Sequence, residues 1–428
     1  LKKCIVIGGG LAGVSSAAYL ANAGFNTEII EASSKLGGRA YSFFDKQTET
    51  YIDNGQHILM GCYKDTFRFL KLIGAEKNFF IQKKLEVNFL KPNYSLQKLS
   101  AYSLPYPFSL LFGLINYKVI SFSERLKLLN FFLKIYFYSD EELEKLSVYQ
   151  WLKLEGQTEN VQHAFWEIIS VGALNTSIKK ASAKTFSDIL KKIFFRGNKN
   201  AAIVIPDKGL SRAFYWDAAA FFKKNNGAIS FSEEVIELLH DEKKITAIKT
   251  SKREITGFDF VVTAVPAYAL HRMLPEFSFN GMENFEYSTI VNIYIWLKEN
   301  KLAEKFYGLI NSTVHWIFNH QDYITLVISD ADYLSDIPKE EIFNSACEEL
   351  CRFTGIDKNL IRNYKVIKEK RATFVPSKEI LYKRPGAQSK FNNMFIAGDW
   401  VNTGLPSTIE SAVKSGRIAA ELVNKNSG

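Results

Sequence analysis

Short unbroken apolar runs open and close this chain, and between them the pattern loosens. Residues 4–7 (CIVI) are a β-branched run suited to a strand buried on both faces. After the glycines of GGGLAG, Leu11, Val14, Ala18 and Ala21 recur at helical spacing, and Gly24 suits a helix end. TEIIE (27–31) is the next strand, so strand, glycine turn, helix and strand follow one another within about thirty residues, as a βαβ unit requires. From about Phe80 to Asn200 long aromatic-rich segments replace this regularity. IVIPDKGLSRAF restores it, and GAISFSEEVIELLHDEKKITAIKT alternates as antiparallel strands do. FDFVVTAVP (258–266) is another buried strand, NIYIWL a strand, and 339–353 a helix. The chain returns to its first style with MFIAGDW, a buried strand, and PSTIESAVKSGRIAAELV, a helix.

The pattern predicts an α/β protein. A discontinuous dinucleotide-binding domain of the Rossmann type takes residues 1–80, 201–284 and 386–428, and an α+β domain inserted twice takes 81–200 and 285–385. A length of 428 residues also favours two cores over one.

Three constellations carry candidate chemistry. In Gly8-x-Gly10-x-x-Gly13 the first glycine permits a tight turn, the second lets backbone amides approach a pyrophosphate, and the third lets the helix sit close to the sheet. Glu31, at the tip of the next strand, is placed to accept hydrogen bonds from ribose hydroxyls. Gly37-Gly38-Arg39 adds a second close backbone approach and a guanidinium fork for phosphate, which a cofactor as long as FAD needs. Near the end, Gly398-Asp399 brings a carboxylate to a strand end, and Ser407-Thr408-Ile409-Glu410 fits a capping box with serine at the cap. A helix N-terminus there favours a negatively charged flavin edge.

A further stretch, DNGQH (53–57), packs a carboxylate, two amides and an imidazole between Ile52 and Ile58. So many polar groups in apolar surroundings need partners. His57 is the one among them whose ordinary titration lies near neutrality.

Together these elements resemble the flavin-dependent amine oxidase and phytoene desaturase superfamily over the whole chain. DNGQHILMGCY and AGDWVNTGLPSTIESAVKSG are similar to the hydroxysqualene dehydroxylases within it. The resemblance implies FAD held by Gly8, Gly10, Leu11, Ala12, Gly13, Glu31, Ala32, Gly38, Arg39, Gly55, Gln56, His57, Val235, Gly398, Asp399, Thr408 and Ile409. It further implies that the 53–58 segment passes beside the flavin, that Val235 meets adenine through its backbone, and that hydride moves from reduced flavin to the allylic carbon of hydroxysqualene as the hydroxyl leaves as water. His57 then either protonates that hydroxyl or holds the loop. PDKGLS (206–211), where amine oxidases usually carry a double glycine, weakens the amine oxidase alternative. An isoprenoid or carotenoid desaturase and a lipid-binding escort without catalysis remain open. With one dinucleotide fingerprint, electrons are expected from a partner or a transiently bound donor.

Composition adds the substrate side. Aromatic residues make up 14% of the chain and about twice that share between 101 and 138, which suits a long apolar isoprenoid as well as a core. Residues 99–117 are free of charge, but Pro105 and Pro107 leave only the stretch 108–117 for a helix, roughly 15 Å against the roughly 30 Å of a bilayer core. A surface anchor is therefore expected, with Lys118, Arg125, Lys127 and Lys134 at headgroup level. The net charge of +9 is scattered, without an arginine-rich block, so anionic lipid fits it better than nucleic acid. Four cysteines make no disulfide framework. Cys347 and Cys351 share a helix face with no histidine beside them, so no metal is expected and a reducing, cytoplasmic setting fits. LKKCIVIGGG is too short in its apolar run for a secretion signal.

Overall fold

The computed structural model describes residues 1–279 and 282–428. Its first sheet is parallel throughout, in the order Ala228–Ser230, Asn26–Ile30, Lys3–Ile7, Phe260–Thr263 and Met394–Ile396. The central strands are apolar runs buried on both faces, as parallel strands flanked by helices must be. Residues 228–230 were expected to pair antiparallel; they lie parallel to Asn26–Ile30 instead. Alternation reports which face is buried and not the direction of a neighbour. The strand follows the helix Asp217–Lys224, whose Ala218 and Phe222 share a core with the Leu11–Asn22 helix. The antiparallel expectation holds for Val235–His240 with Ile245–Thr250.

The helix Leu11–Asn22 is buried along most of its length between this sheet and the C-terminal helix Ile409–Lys425. Their contact is backbone-close: a Cβ on Gly416 would lie 2.2 Å from Ser15 Oγ and 2.3 Å from the Ala12 carbonyl. The strand that feeds this last helix is the final strand of the parallel sheet. Residues 394–425 thus close both the sheet and its helical layer.

The second sheet has seven strands, in the order Ile361–Phe374, Tyr287–Leu297, Ile324–Ile328, Trp316–Asn319, Phe306–Leu309, Glu86–Lys91 and Ser95–Ser100. Period-2 alternation sorts its side chains. Ile293, Ile295, Ile324 and Leu326 meet the helix Lys339–Thr354, where Cys347 is buried among Leu350 and Phe353 as an ordinary core residue. The opposite face carries Phe89, Phe306, Phe318 and Val327 against helices drawn from 108–194, whose core centres on Phe131, Trp151, Trp166 and Phe186. Among the described residues no helix is long and apolar enough to cross a membrane. The helix of the charge-free stretch runs only from Phe108 to Ile115.

Two histidines near the ends of the Trp316–Asn319 strand are buried in their neutral form. His315 Nδ1 accepts the Ser329 N–H at 3.2 Å, and His320 stacks on Tyr323 with its ring Nε2 unpartnered. Burial pushes both down to about 4, with Lys305 adding to the effect at His320. The unfolded chain therefore takes up protons below about pH 6.5 that the folded one refuses. Stability is full above that pH and falls as the pH drops toward 4, by roughly 1.4 kcal/mol per pH unit for each histidine. Urea titrations across this interval should show the fall, and His315→Gln should remove one histidine's share. A midpoint independent of pH would mean both rings are solvated.

Candidate cofactor and active site

The first glycine turn divides into glycines the protein needs for itself and one it leaves open. Gly8 has φ +103°, and a Cβ there would lie 2.7 Å from the Ala264 carbonyl. A Cβ on Gly13 would come within 1.9 Å of the Gly8 carbonyl. At Gly10 the nearest atom to such a Cβ is the Gly38 Cα at 3.8 Å, so a side chain there would fill open space. Gly10 also caps the Leu11–Asn22 helix without supplying any side-chain acceptor. The N–H groups of Leu11, Ala12 and Gly13 thus begin an uncapped helix beside an open cradle, the arrangement that takes a phosphate. The residues fit a dinucleotide.

Glu31 organises the rim of this cradle. Its carboxylate accepts the Gly9 N–H at 2.6 Å and the Ser33 N–H at 2.8 Å, leaving one lone pair on each oxygen for a ligand hydroxyl. The Glu233 and Ser232 amides donate to the carbonyls of Glu31 and Ser33, which brings the chain leading into Val235 alongside Ala32. The Val235 side chain itself is core, packed with Ile7 and Ile30.

The second glycine turn is tied to the first by the Gly37 N–H on the Gly9 carbonyl at 2.9 Å, and a Cβ on Gly38 would stand 3.2 Å from Gly10 Cα. Arg39, expected to offer its fork to phosphate, spends it within the protein. Nη2 pairs with Asp399 Oδ1 at 2.5 Å and Nη1 donates to the Ala372 carbonyl at 2.8 Å. Asp399 also accepts the Ser407 hydroxyl through its other oxygen. Gly398, at φ +149°, donates its N–H to Ser415 Oγ.

The expected capping box at Ser407 is not what forms. Thr408 is the cap, its hydroxyl accepting the Ser411 N–H, and Ile409 is the first helical residue. Ser407 is unavailable because its hydroxyl is engaged by Asp399. Glu410 then falls one position short of the place from which it could reach back. It crosses instead to the helix Lys64–Ile73, accepting the Asp65 and Thr66 N–H groups at 3.0 and 2.9 Å and the Thr66 hydroxyl at 2.7 Å. That helix has no side-chain cap of its own, so a carboxylate from the C-terminal helix serves it.

The DNGQH loop finds most of its partners in the protein. Asp53 Oδ1 accepts the Ser42 hydroxyl and the Leu210 N–H. Asn54 Nδ2 donates to the Arg39 carbonyl at 3.1 Å and to Glu369 at 3.4 Å. The buried Tyr294 hydroxyl donates to the Asp53 carbonyl at 2.5 Å and accepts the Gly55 N–H at 3.1 Å. Gln56 reaches Thr325 at 3.4 Å. His57 is pushed down to about 4, by burial first and by the Arg39 guanidinium second, with the Asn54 backbone opposing them weakly. Its imidazole is neutral near pH 7.

One residue that sequence reasoning passed over completes this face. Asn292, only 2% exposed, stands on the Tyr287–Leu297 strand beside Gly55, and its Oδ1 is buried without a partner. Ser288, Ile290, Asn292 and Tyr294 alternate onto the side that meets the loop. An amide inside the run of apolar residues VNIYIW was the available signal.

The pattern that describes flavin containing amine oxidoreductases matches residues 11–424. The chain belongs to that family. The oxidoreductase is flavin-dependent and its cofactor is FAD, in keeping with the open cradle at Gly10. Hydroxysqualene dehydroxylases of Zymomonas mobilis and Rhodopseudomonas palustris are each 28% identical to it, the first across 99% of both chains, the second across 99% of this chain and 98% of its own. A 15-cis-phytoene desaturase of Synechococcus elongatus is 22% identical over 98% of this chain and 95% of its own. Among solved structures, an oxidoreductase from Methanosarcina mazei superposes with a TM-score of 0.76 at 18% identity, covering 98% of this chain and all of that one. A putrescine oxidase superposes at 0.73 and 13%, covering 99% of each. At such identities the likeness concerns the fold.

The two kinds of glycine give opposite outcomes on substitution. Gly10→Val should leave the oxidoreductase folded, with an unchanged far-ultraviolet spectrum and melting temperature in the FAD-free state, yet colourless after reconstitution. Gly13→Ala should lower stability itself, by about 1–3 kcal/mol, because its Cβ meets backbone. Equal FAD content in Gly10→Val and the parent protein would show that the cradle lies elsewhere.

Proposed function

We propose that the oxidoreductase removes the allylic hydroxyl of hydroxysqualene to give squalene. The observation that carries this reading is the end-to-end similarity to hydroxysqualene dehydroxylases. Reduced FAD, when bound, would supply the hydride, so that the allylic C–O bond is exchanged for C–H and the hydroxyl departs as water with a proton drawn from solvent. The reducing equivalents come from an external two-electron donor.

The chain's own groups suit an apolar alcohol. Phe89, Phe306 and Trp316 crowd one another on the sheet face, Gly308 being the only residue size that fits between Phe89 and Trp316. They exclude water from the helical side of the sheet. Neutral imidazole carries one donor and one acceptor nitrogen. His57 therefore orients a hydroxyl by accepting its hydrogen; it holds no spare proton to give near pH 7. Asn292 supplies the second polar contact.

We further propose attachment to the membrane surface through residues 108–137. Phe108, Phe112, Phe122, Leu126, Leu133 and Phe137 are all exposed there, Phe137 at 86%. Of the four cations expected at headgroup level, Lys118, Lys127 and Lys134 are exposed. Lys134 pairs with Glu155, and Arg125 is bonded to the Ile115 carbonyl.

Anaerobic reduction of the FAD-loaded protein followed by hydroxysqualene should reoxidise the flavin and release squalene, and His57→Phe should slow this by roughly tenfold to a hundredfold. Reduced flavin that ignores hydroxysqualene, while oxidised flavin accepts electrons from phytoene, would move the protein to the desaturases. For the surface, the triple variant Phe122→Ser, Leu133→Ser, Phe137→Ser should lose roughly a hundredfold or more in sedimentation with phosphatidylglycerol vesicles, each large apolar side chain being worth about 1.5–3 kcal/mol when buried. Undiminished binding would place the contact elsewhere.

A further inference from the structure

Arg384 is a buried cation without an anion. Its side chain is 6% exposed. Nη1 donates to the carbonyls of Val401 and Leu405 at 3.3 and 2.9 Å, while Nε is buried with no partner. Among the described residues no carboxylate stands within ion-pair distance of it, and its nearest ring, Phe374, offers a π face at 5.0 Å. Burial depresses its pKa to about 10, opposed only by the field of Asp399. A guanidinium in such a place is costly unless something negative neutralises it.

Two sources of negative charge are within reach. One is a free carboxylate or phosphate entering the cavity of about 310 Å³ that Arg384 lines. Beside Arg384 that cavity is lined by Asp140, Glu144 and Asp188 against a single Lys184. Lys184 is already bridged to Asp140 at 3.4 Å and Asp188 at 2.7 Å. A lining of this sign disfavours anions. The other source is the cofactor site around Asp399, whose field reaches Arg384. Residues 401–405 join Asp399 to the Thr408 cap, the two ends of the C-terminal cofactor motif. Lys414 Nζ donates to the Thr403 carbonyl at 2.7 Å and Lys192 Nζ to the Gly404 carbonyl at 3.2 Å. Three cations from three separate elements thus hold the carbonyls of one short loop, beside a helix N-terminus that is itself partly positive.

We propose that Arg384 is the counter-charge of the reduced cofactor: its unpartnered side neutralises the negative charge that FAD takes up with two electrons and one proton, and so raises the cofactor's reduction potential. Lys192 and Lys414 are positioning residues, which fix the loop whose carbonyls hold Arg384. The inference rests on FAD alone and is independent of which substrate the enzyme reduces.

The test is the midpoint potential of the FAD-loaded enzyme, measured by equilibration with a reference dye under dithionite. Arg384→Met should shift the reduced-to-oxidised ratio at least tenfold toward oxidised, which for a two-electron couple is about 30 mV. Arg384→Lys should restore most of it. An Arg384→Met enzyme that binds FAD with an unchanged potential overturns the proposal. Should Arg384→Met fail to fold, the unaltered enzyme still decides: its reduced flavin should keep the anionic spectrum when the pH is lowered below neutrality, and a neutral-ring spectrum there overturns the proposal. Calorimetric titration of the oxidised enzyme with inorganic phosphate or acetate should show no saturable site. Binding that is lost in Arg384→Lys would mean that the side chain serves a free anion instead.

Discussion

The ion pair between Arg39 and Asp399 is the joint on which the site depends. Its partners are separated by 360 positions in sequence, and each is fastened to something else: Arg39 to the Ala372 carbonyl of the second sheet, Asp399 to Ser407 at the start of the last turn before the C-terminal helix. One contact therefore unites the second glycine turn, the edge of the seven-stranded sheet and the C-terminal motif. Burial strengthens the dependence. Removing Arg39 would leave the buried Asp399 carboxylate without its counter-charge, and such losses exceed the value of the pair itself. The same guanidinium also lowers the His57 pKa, so the electrostatic state of the DNGQH loop is set by the joint that positions it.

Polar groups around the site divide into those consumed by the protein and those left over. Asp53, Asn54 and Tyr294 close their hydrogen bonds among themselves and with Ser42, Leu210 and Arg39, which makes the loop a rigid wall. Asn292 Oδ1 and Arg384 Nε have no such closure. Both stand beside the cofactor motifs, where a ligand or an ordered water can complete them.

Much of the frame was legible because local chemistry dictates it. Four apolar residues before a glycine turn, and MFI before Gly398, can hardly be anything but central strands, and the spacing of Gly8, Gly10 and Gly13 is a local requirement of the turn. Partners distant in sequence were not legible. Nothing near Arg39 announces Asp399, and nothing near Glu410 announces that its carboxylate serves Asp65 and Thr66. The misplaced cap has the same origin: Ser407 and Thr408 are equally good caps in isolation, and the competing acceptor on Asp399 decides between them. Likewise nothing in the alternation of residues 228–230 names the neighbour with which they pair or the direction of the pairing.

The closing role of residues 394–425 has a consequence in time as well as in space. A ribosome delivers the chain from its N-terminal side, so the glycine cradle and its helix are exposed long before the strand and helix that complete their sheet exist. Until then Arg39 lacks Asp399, the Lys64–Ile73 helix lacks its carboxylate cap, and the Leu11–Asn22 helix has an uncovered flank. Cofactor capture is thus a late event in the life of each molecule, and interrupted synthesis leaves a chain that owns most of the cradle yet cannot close it. The long-range contacts that give the finished enzyme its rigidity also make its nascent form slow to mature.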